Sequence, residues 1–128
     1  MLKIGIVGSR RRNTEIDRRL IHETFKQVSK MSESVHMGEW EECIIVSGGC
    51  QEGADAAAEE LARLYGITII IHHANWSLYG KRAGHIRNQK IAEDSDVLIA
   101  CVAPDRTGGT ESTIEKYTKL NKKELIII

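Results

Sequence analysis

Five short apolar runs punctuate the chain, at 2–7, 43–47, 67–71, 97–102 and 125–128. Most are β-branched and do not alternate with polar residues, the pattern of strands covered on both faces. Four tracts between them read as helices. The first spans about 14–30, where Ile16, Leu20, Ile21, Phe25 and Val28 approximate an apolar stripe at helical spacing. The second, 54–65, is rich in alanine, which lets a helix lie close against a sheet, and Gly66 suits its C-terminal stop. The third runs from about 81 to 93 and the fourth from about 110 to 120, while the polar piece 32–42 reads as an irregular connection. Strand and helix alternate throughout, which predicts an α/β, Rossmann-like three-layer sandwich over 1–128: a five-stranded parallel sheet with right-handed crossovers and helices on both faces.

In an open parallel sheet, ligands bind beyond the carboxyl ends of the strands. Helix amino termini point there too, each with unpaired N–H groups and about half a positive charge. Three of the loops expected at that edge carry glycine: Gly8-Ser9-Arg10, Ser47-Gly48-Gly49 and Thr107-Gly108-Gly109-Thr110. Turn geometry alone accounts for any one of them, because glycine adopts positive φ without penalty. Three at one edge, each with a hydroxyl residue beside the glycine, point to a bound phosphate. The patterns G-x-x-x-x-G-K-[ST] and G-x-G-x-x-G are absent, which argues against a P-loop NTPase and an ordinary NAD domain.

The segment after the third strand adds further candidates. Trp76 and Tyr79 offer flat faces for a base or a ribose, or alternatively pack as a rim over the helix entrance. Arg87 is placed either to grip a phosphate bidentately from the sheet edge or to form a surface salt bridge with Glu93 or Asp94. Asn88 would cap a neighbouring loop or bond a ribose. Asp55, in the first turn of the second helix, suits a helix-stabilising role as well as contact with a ribose hydroxyl.

Composition narrows the partners. Eighteen basic residues balance eighteen acidic ones, so no overall field favours nucleic acid or an anionic membrane, although Arg10-Arg11-Arg12 is a local basic patch. Three cysteines without C-x-x-C spacing suggest neither a disulfide framework nor a zinc site, and fit a reduced, cytoplasmic setting. The amino-terminal apolar run is too short for a signal peptide, and nothing reaches transmembrane length. His72 and His73 make a poor chelating pair, because adjacent strand residues face opposite sides. No metal and no cofactor are implied. Cys50, near a helix start, reads as a small loop residue, and Glu115 as a solvated helix-face charge.

Taken together, "GSR", "VSGGCQEGAD", "ANWSLYGKRAGHIRNQKIAEDSDVLIA" and "TGGTESTI" resemble the SLOG superfamily, in its small stand-alone branch related to YspA and YpsA; DprA and the LOG cytokinin-activating enzymes are relatives. The resemblance covers nearly the whole chain except about 32–42. It implies strand order 3-2-1-4-5, a pocket for a nucleotide or nucleotide-derived ligand, and self-association as a dimer or larger oligomer. LOG enzymes cleave the N-glycosidic bond of nucleoside monophosphates with an arginine and a glutamate. Arg87 is the position that resembles the arginine, but the glutamate of P-G-G-x-G-T-x-x-E is replaced by Thr113. Glu111 lies two residues away from it, about 200° round a helix, and substitutes poorly. Arg87 and Glu111 are thus weak catalytic candidates, and the catalytic set is unassigned.

A glycosidase needs a carboxylate to stabilise an oxocarbenium-like sugar or to activate water. Losing that acid while keeping a phosphate cradle describes a binding module. The leading expectation is a nucleotide-derivative binding protein that acts as sensor, carrier or sequestering protein. Its expected ligand-binding residues are Gly8, Ser9, Arg10, Ser47, Gly48, Gly49, Asp55, Trp76, Arg87, Asn88, Gly108, Gly109 and Thr110. The alternative is a LOG-type nucleoside 5′-monophosphate phosphoribohydrolase in which Asp55, Glu111 or Glu115 supplies the acid. A further alternative is DprA-like binding of single-stranded DNA along Arg10, Arg11, Arg12, Lys81 and Arg82, which zero net charge disfavours.

Overall fold

The computed structural model describes residues 1–31, 43–122 and 124–128. The expected connection at 32–42 lies outside the described residues. In chain order the elements are β1 (Leu2–Gly8), α1 (Glu15–Met31), β2 (Cys43–Ser47), α2 (Gly53–Tyr65), β3 (Thr68–Ile71), α3 (Trp76–Tyr79), a 3-10 turn (Gly80–Arg82), α4 (Ala83–Asp94), β4 (Val97–Cys101), α5 (Gly109–Lys119) and β5 (Leu125–Ile127). The five strands form one parallel sheet in the order β3-β2-β1-β4-β5, with Gly5 opposite both Val46 and Leu98 across the central strand. The α/β architecture is the one expected from the alternation of strand and helix, and the strand order is the one the resemblance implies.

Both sheet faces are buried, which is why the strands read as unbroken apolar runs. Ile4, Ile6, Ile45, Val97, Ile99 and Cys101 pack with α1 and α2, whereas Val7, Val46, Leu98, Ala100 and Val102 pack with α4 and α5. The period of two is intact along β4, but each face happens to be apolar. In β1, Gly5 has no room for a side chain: a Cβ there would stand 2.2 Å from Ser95 Oγ, which is bonded to Ile91 O.

Two expectations are corrected. Ile16 is 75% exposed and Leu20 39%, so the core-facing stripe of α1 is Ile21, Phe25 and Val28. The stripe instead passes through Asp17, whose burial alongside Arg12 an apolar pattern does not reveal. The expected helix at 81–93 starts two residues later, and α3 and a 3-10 turn precede it. Asn75 caps α3 by accepting the Leu78 N–H at 3.1 Å, and Gly80, at φ 58°, breaks the path between the two helices. No helix among the described residues is long and apolar enough to cross a membrane.

Candidate functional site

The carboxyl ends of β1, β2, β3 and β4 open onto a cavity of about 570 Å³, within the size range of small-molecule sites. Of the thirteen residues expected to bind ligand, twelve line it: Gly8, Ser9 and Arg10 from the first loop; Gly48, Gly49 and Asp55 from the second; Trp76; Arg87 and Asn88; and Gly108, Gly109 and Thr110 from the loop into α5. Ser47 does not. It is fully buried, and its hydroxyl has no partner at hydrogen-bonding geometry, although it lies close enough to Asp55 to favour the ionised carboxyl. Glu111 is also off the wall, because both of its oxygens accept from Arg106, at 2.9 and 3.0 Å.

The first loop is held tightly. Ser9 N–H donates to Cys101 O at 2.9 Å, and Ser9 Oγ accepts the Arg11 N–H at 3.1 Å. A Cβ on Gly8 would stand 2.7 Å from Ala54 Cβ and 2.9 Å from Cys101 O, so β1, β4 and α2 meet there without a side chain between them. The three arginines separate by role. Arg11 donates to both oxygens of Asp105 (2.6 and 3.1 Å) and to Thr107 Oγ1 (2.9 Å), and so joins the two loops that flank the crevice. That guanidinium, helped by Thr107, holds the Asp105 carboxyl well below the usual carboxylate range. Arg12 turns inward to Asp17, Val102 O and Ile128 O. Arg10 is exposed and has no hydrogen-bond or ion-pair partner among the described residues. The basic run is therefore one available guanidinium and two structural ones.

The glycine pair after β2 serves the protein's own side chains as well as the cavity. A Cβ on Gly48 would stand 2.7 Å from Arg87 Nη1 and 3.0 Å from Asp55 Oδ2. Gly49 has φ 77°, and its Cβ would stand 2.7 Å from Ile71 Cγ2 and 2.8 Å from His73 Cε1. Gly49→Ala is accordingly expected to cost about 2–4 kcal/mol, from left-handed strain and overpacking together. Gly109→Ala, with nothing within 4 Å, should stay within about 0.5 kcal/mol. Urea titration of both variants checks the pair, and equal midpoints would refute the account of Gly49.

Asp55 accepts the Cys50 N–H at 3.0 Å. Burial pushes its carboxyl up, against the opposing pull of Cys50 N–H, Arg87, Gly48 N–H and Ser47. Arg87 does not pair with Glu93 or Asp94; it donates from Nη1 to Gly48 O and from Nε to Asn88 Oδ1, both at 2.9 Å. Asp94 instead meets His72 Nε2 at 2.5 Å. Asn88, 7% exposed, donates a long 3.4 Å bond to Gly109 O and thereby ties α4 to the start of α5.

Trp76 stands 61% exposed at the rim, and Tyr79 is half-buried away from the wall. Several wall residues escaped the sequence reading. His73 faces the cavity while His72 turns to Asp94, which the alternation of strand residues could have indicated. Thr113 lines the cavity at 2% exposure. Thr110 is similarly buried at 7%, and neither threonine hydroxyl has a protein partner among the described residues. Among the described residues, Asp55 is the one carboxylate on the wall.

No protein-family model matches the chain, and no curated protein matches it. Among solved structures, it is similar to DNA processing protein A (DprA) from Helicobacter pylori, a single-stranded DNA-binding protein, with a TM-score of 0.70 at 20% identity. The match covers 98% of this chain and 64% of the DprA chain. At that identity the likeness is one of fold, and this chain shares the fold of that part of DprA over nearly its whole described length.

Proposed function

We propose that the chain binds a phosphate-bearing nucleotide or nucleotide-derived molecule in this cavity, as a sensor, carrier or sequestering protein of the stand-alone SLOG type. The observation that carries the reading is the α5 end of the cavity. Two hydroxyls on nine-tenths-buried side chains, Thr110 and Thr113, face open space without protein partners at the amino-terminal turns of an eleven-residue helix. Both hydroxyls are open to the cavity rather than sealed, and a helix amino terminus favours an anion. Gly8, Ser9, Arg10 and Gly108 to Thr110 would surround the phosphate; Trp76, Asp55, Arg87 and Asn88 would contact the remainder, beside Gly48 and Gly49. Self-association is part of this reading and is checked by sedimentation of the purified chain.

Thermal shift against nucleoside mono-, di- and triphosphates, ADP-ribose derivatives and cyclic dinucleotides tests it. A ligand at a hundred times its Kd adds about 2.7 kcal/mol of stability. Absence of any shift at millimolar concentrations of every phosphorylated compound would refute the reading. Catalysis of the LOG type is not part of it, because Thr113 stands where the acid is required. Incubation with AMP and CMP should release no free base, and release that disappears in Asp55→Asn would establish the hydrolase instead.

A second reading, single-stranded DNA binding, is favoured by the fold shared with DprA. Arg10, Lys81 and Arg82 are exposed and would supply its contacts, but Arg11 and Arg12 are committed elsewhere. An oligonucleotide whose retardation weakens steeply with salt would support this reading.

A further inference from the structure

Among the described residues the sheet ends on β3 at one edge and on β5 at the other, and the two edges differ. The β3 isoleucines are half-buried, whereas Ile127 of β5 is 44% exposed, and Ile16 and Leu20 of α1 stand 75% and 39% exposed. Arg18, Arg19 and His22 face α2, and Leu20 lies about 200° round the helix from both Arg18 and His22. Leu20, with Ile16 one turn before it, therefore looks away from α2 towards the β5 side of the sheet. Glu124 O and Ile128 N–H bond to β4, each at 2.9 Å, so the N–H and C=O groups of Leu125 and Ile127 point outward. β5 carries no proline and no charge, the usual guards of an open edge. Lys122, just before it, is turned to the carbonyls of Ala92, Glu93 and Ser95.

We propose that β5 is the interface with a second copy of this chain: two β5 strands pair antiparallel about a two-fold axis at Ile126 and join the two sheets into one. A surface that meets its own copy must complement itself. In this register Leu125 of each copy faces Ile127 of the other, and every outward N–H finds an outward C=O. Charge is complementary as well. Exposed Glu124 comes opposite residue 128 of the other copy on the α1 face, where Arg12 Nη1 donates to Ile128 O at 3.2 Å. Two paired strands of three residues fall short of a standard interface, which buries about 1,600 Å² in total. Ile16 and Leu20 of both copies widen it, facing one another across Ile126 and Ile128. None of residues 124–128 lines the cavity, so the pairing leaves the ligand site open and its test needs no ligand.

Sedimentation velocity of the full chain over a dilution series should show a dimer that dissociates on dilution. Ile127→Lys puts a charge on the edge and should raise the dimer dissociation constant about tenfold or more, with a melting curve to show that the fold is retained. Leu20→Lys is the second variant if the first does not fold. Amide hydrogen exchange reads the edge on the unaltered chain: the Leu125 and Ile127 amides should be protected where the dimer forms and lose that protection on dilution. A chain that stays monomeric at millimolar concentration overturns the interface and the self-association proposed above, leaving nucleotide binding untouched. An assembly of unchanged affinity in both variants, or one in which the Leu125 and Ile127 amides exchange freely, overturns the interface alone.

Discussion

Arg87→Ala should abolish most nucleotide binding, raising Kd roughly thirtyfold or more, equivalent to about 2 kcal/mol from the lost charged hydrogen bonds. The guanidinium acts at three points. It donates to Gly48 O, fixing the loop after β2, and to Asn88 Oδ1, whose amide reaches Gly109 O at the start of α5. It also offsets Asp55, the carboxylate on the wall. Removing it leaves that acid uncompensated, so the part of the wall around Asp55 turns negative and repels an anionic group there. Arg87→Lys should recover little, because an ammonium cannot place two fixed N–H donors on Gly48 O and Asn88 Oδ1 at once. The check is a titration of each variant with the best-binding nucleotide, beside a melting curve to show that the fold is retained. Wild-type affinity in Arg87→Ala would remove Arg87 from the site.

Arg12→Ala is expected to destabilise the protein by about 2–4 kcal/mol, as loss of one partner of a mostly buried, hydrogen-bonded ion pair does. Arg12 Nε donates to Asp17 Oδ1 at 2.7 Å, and Nη1 donates to Val102 O at 2.8 Å and Ile128 O at 3.2 Å. One side chain therefore joins the loop after β1 to the first turn of α1, the end of β4 and Ile128 beyond β5. Asp17 is 8% exposed, and without Arg12 its charge is stranded. Burial by itself would push the Asp17 carboxyl up, but Arg12, with the N–H and hydroxyl of Thr14, brings it below its ordinary value of 3.8.

The pH dependence follows from that direction. A carboxyl depressed in the folded state stabilises the fold above its unfolded pKa, and that contribution is lost as pH falls through the folded pKa. Denaturation of Arg12→Ala and the parent should differ fully near pH 7, with the Asp17 part of the difference shrinking below about pH 4. A gap of constant size down to pH 2 would mean that the carbonyl bonds, not the ion pair, account for it.

How much of this was legible beforehand depended on the range of the interaction. β2 was read residue for residue, and α2 and α5 to within one residue at each end, because burial on both faces and the cap at Gly66 leave local marks. The glycine loops were legible too, since strand ends and helix starts alternate in the chain. The buried face of α1 is not legible from its apolar pattern because it begins at Asp17 in the first turn, tolerable there only through Arg12, five residues earlier. Nor could three consecutive arginines be told apart: their fates are set by Asp105 and Asp17, one on a loop ninety-four positions away from Arg11.

The layers, the parallel sheet and the edge at which glycine, hydroxyl and arginine residues gather are written into the residue pattern, because periodicity and turn chemistry are local properties of the chain. How that edge is shared out emerges in the folded molecule: Ser47 withdrawn into the core, Glu111 turned to Arg106, Thr113 facing the cavity, and Asp55 seated among the amides of the glycine loop. Those assignments depend on which charges and hydrogen-bond donors become neighbours when the crossovers close. Spacing along a chain does not encode that, because partners far apart in sequence compete for the same few ångströms.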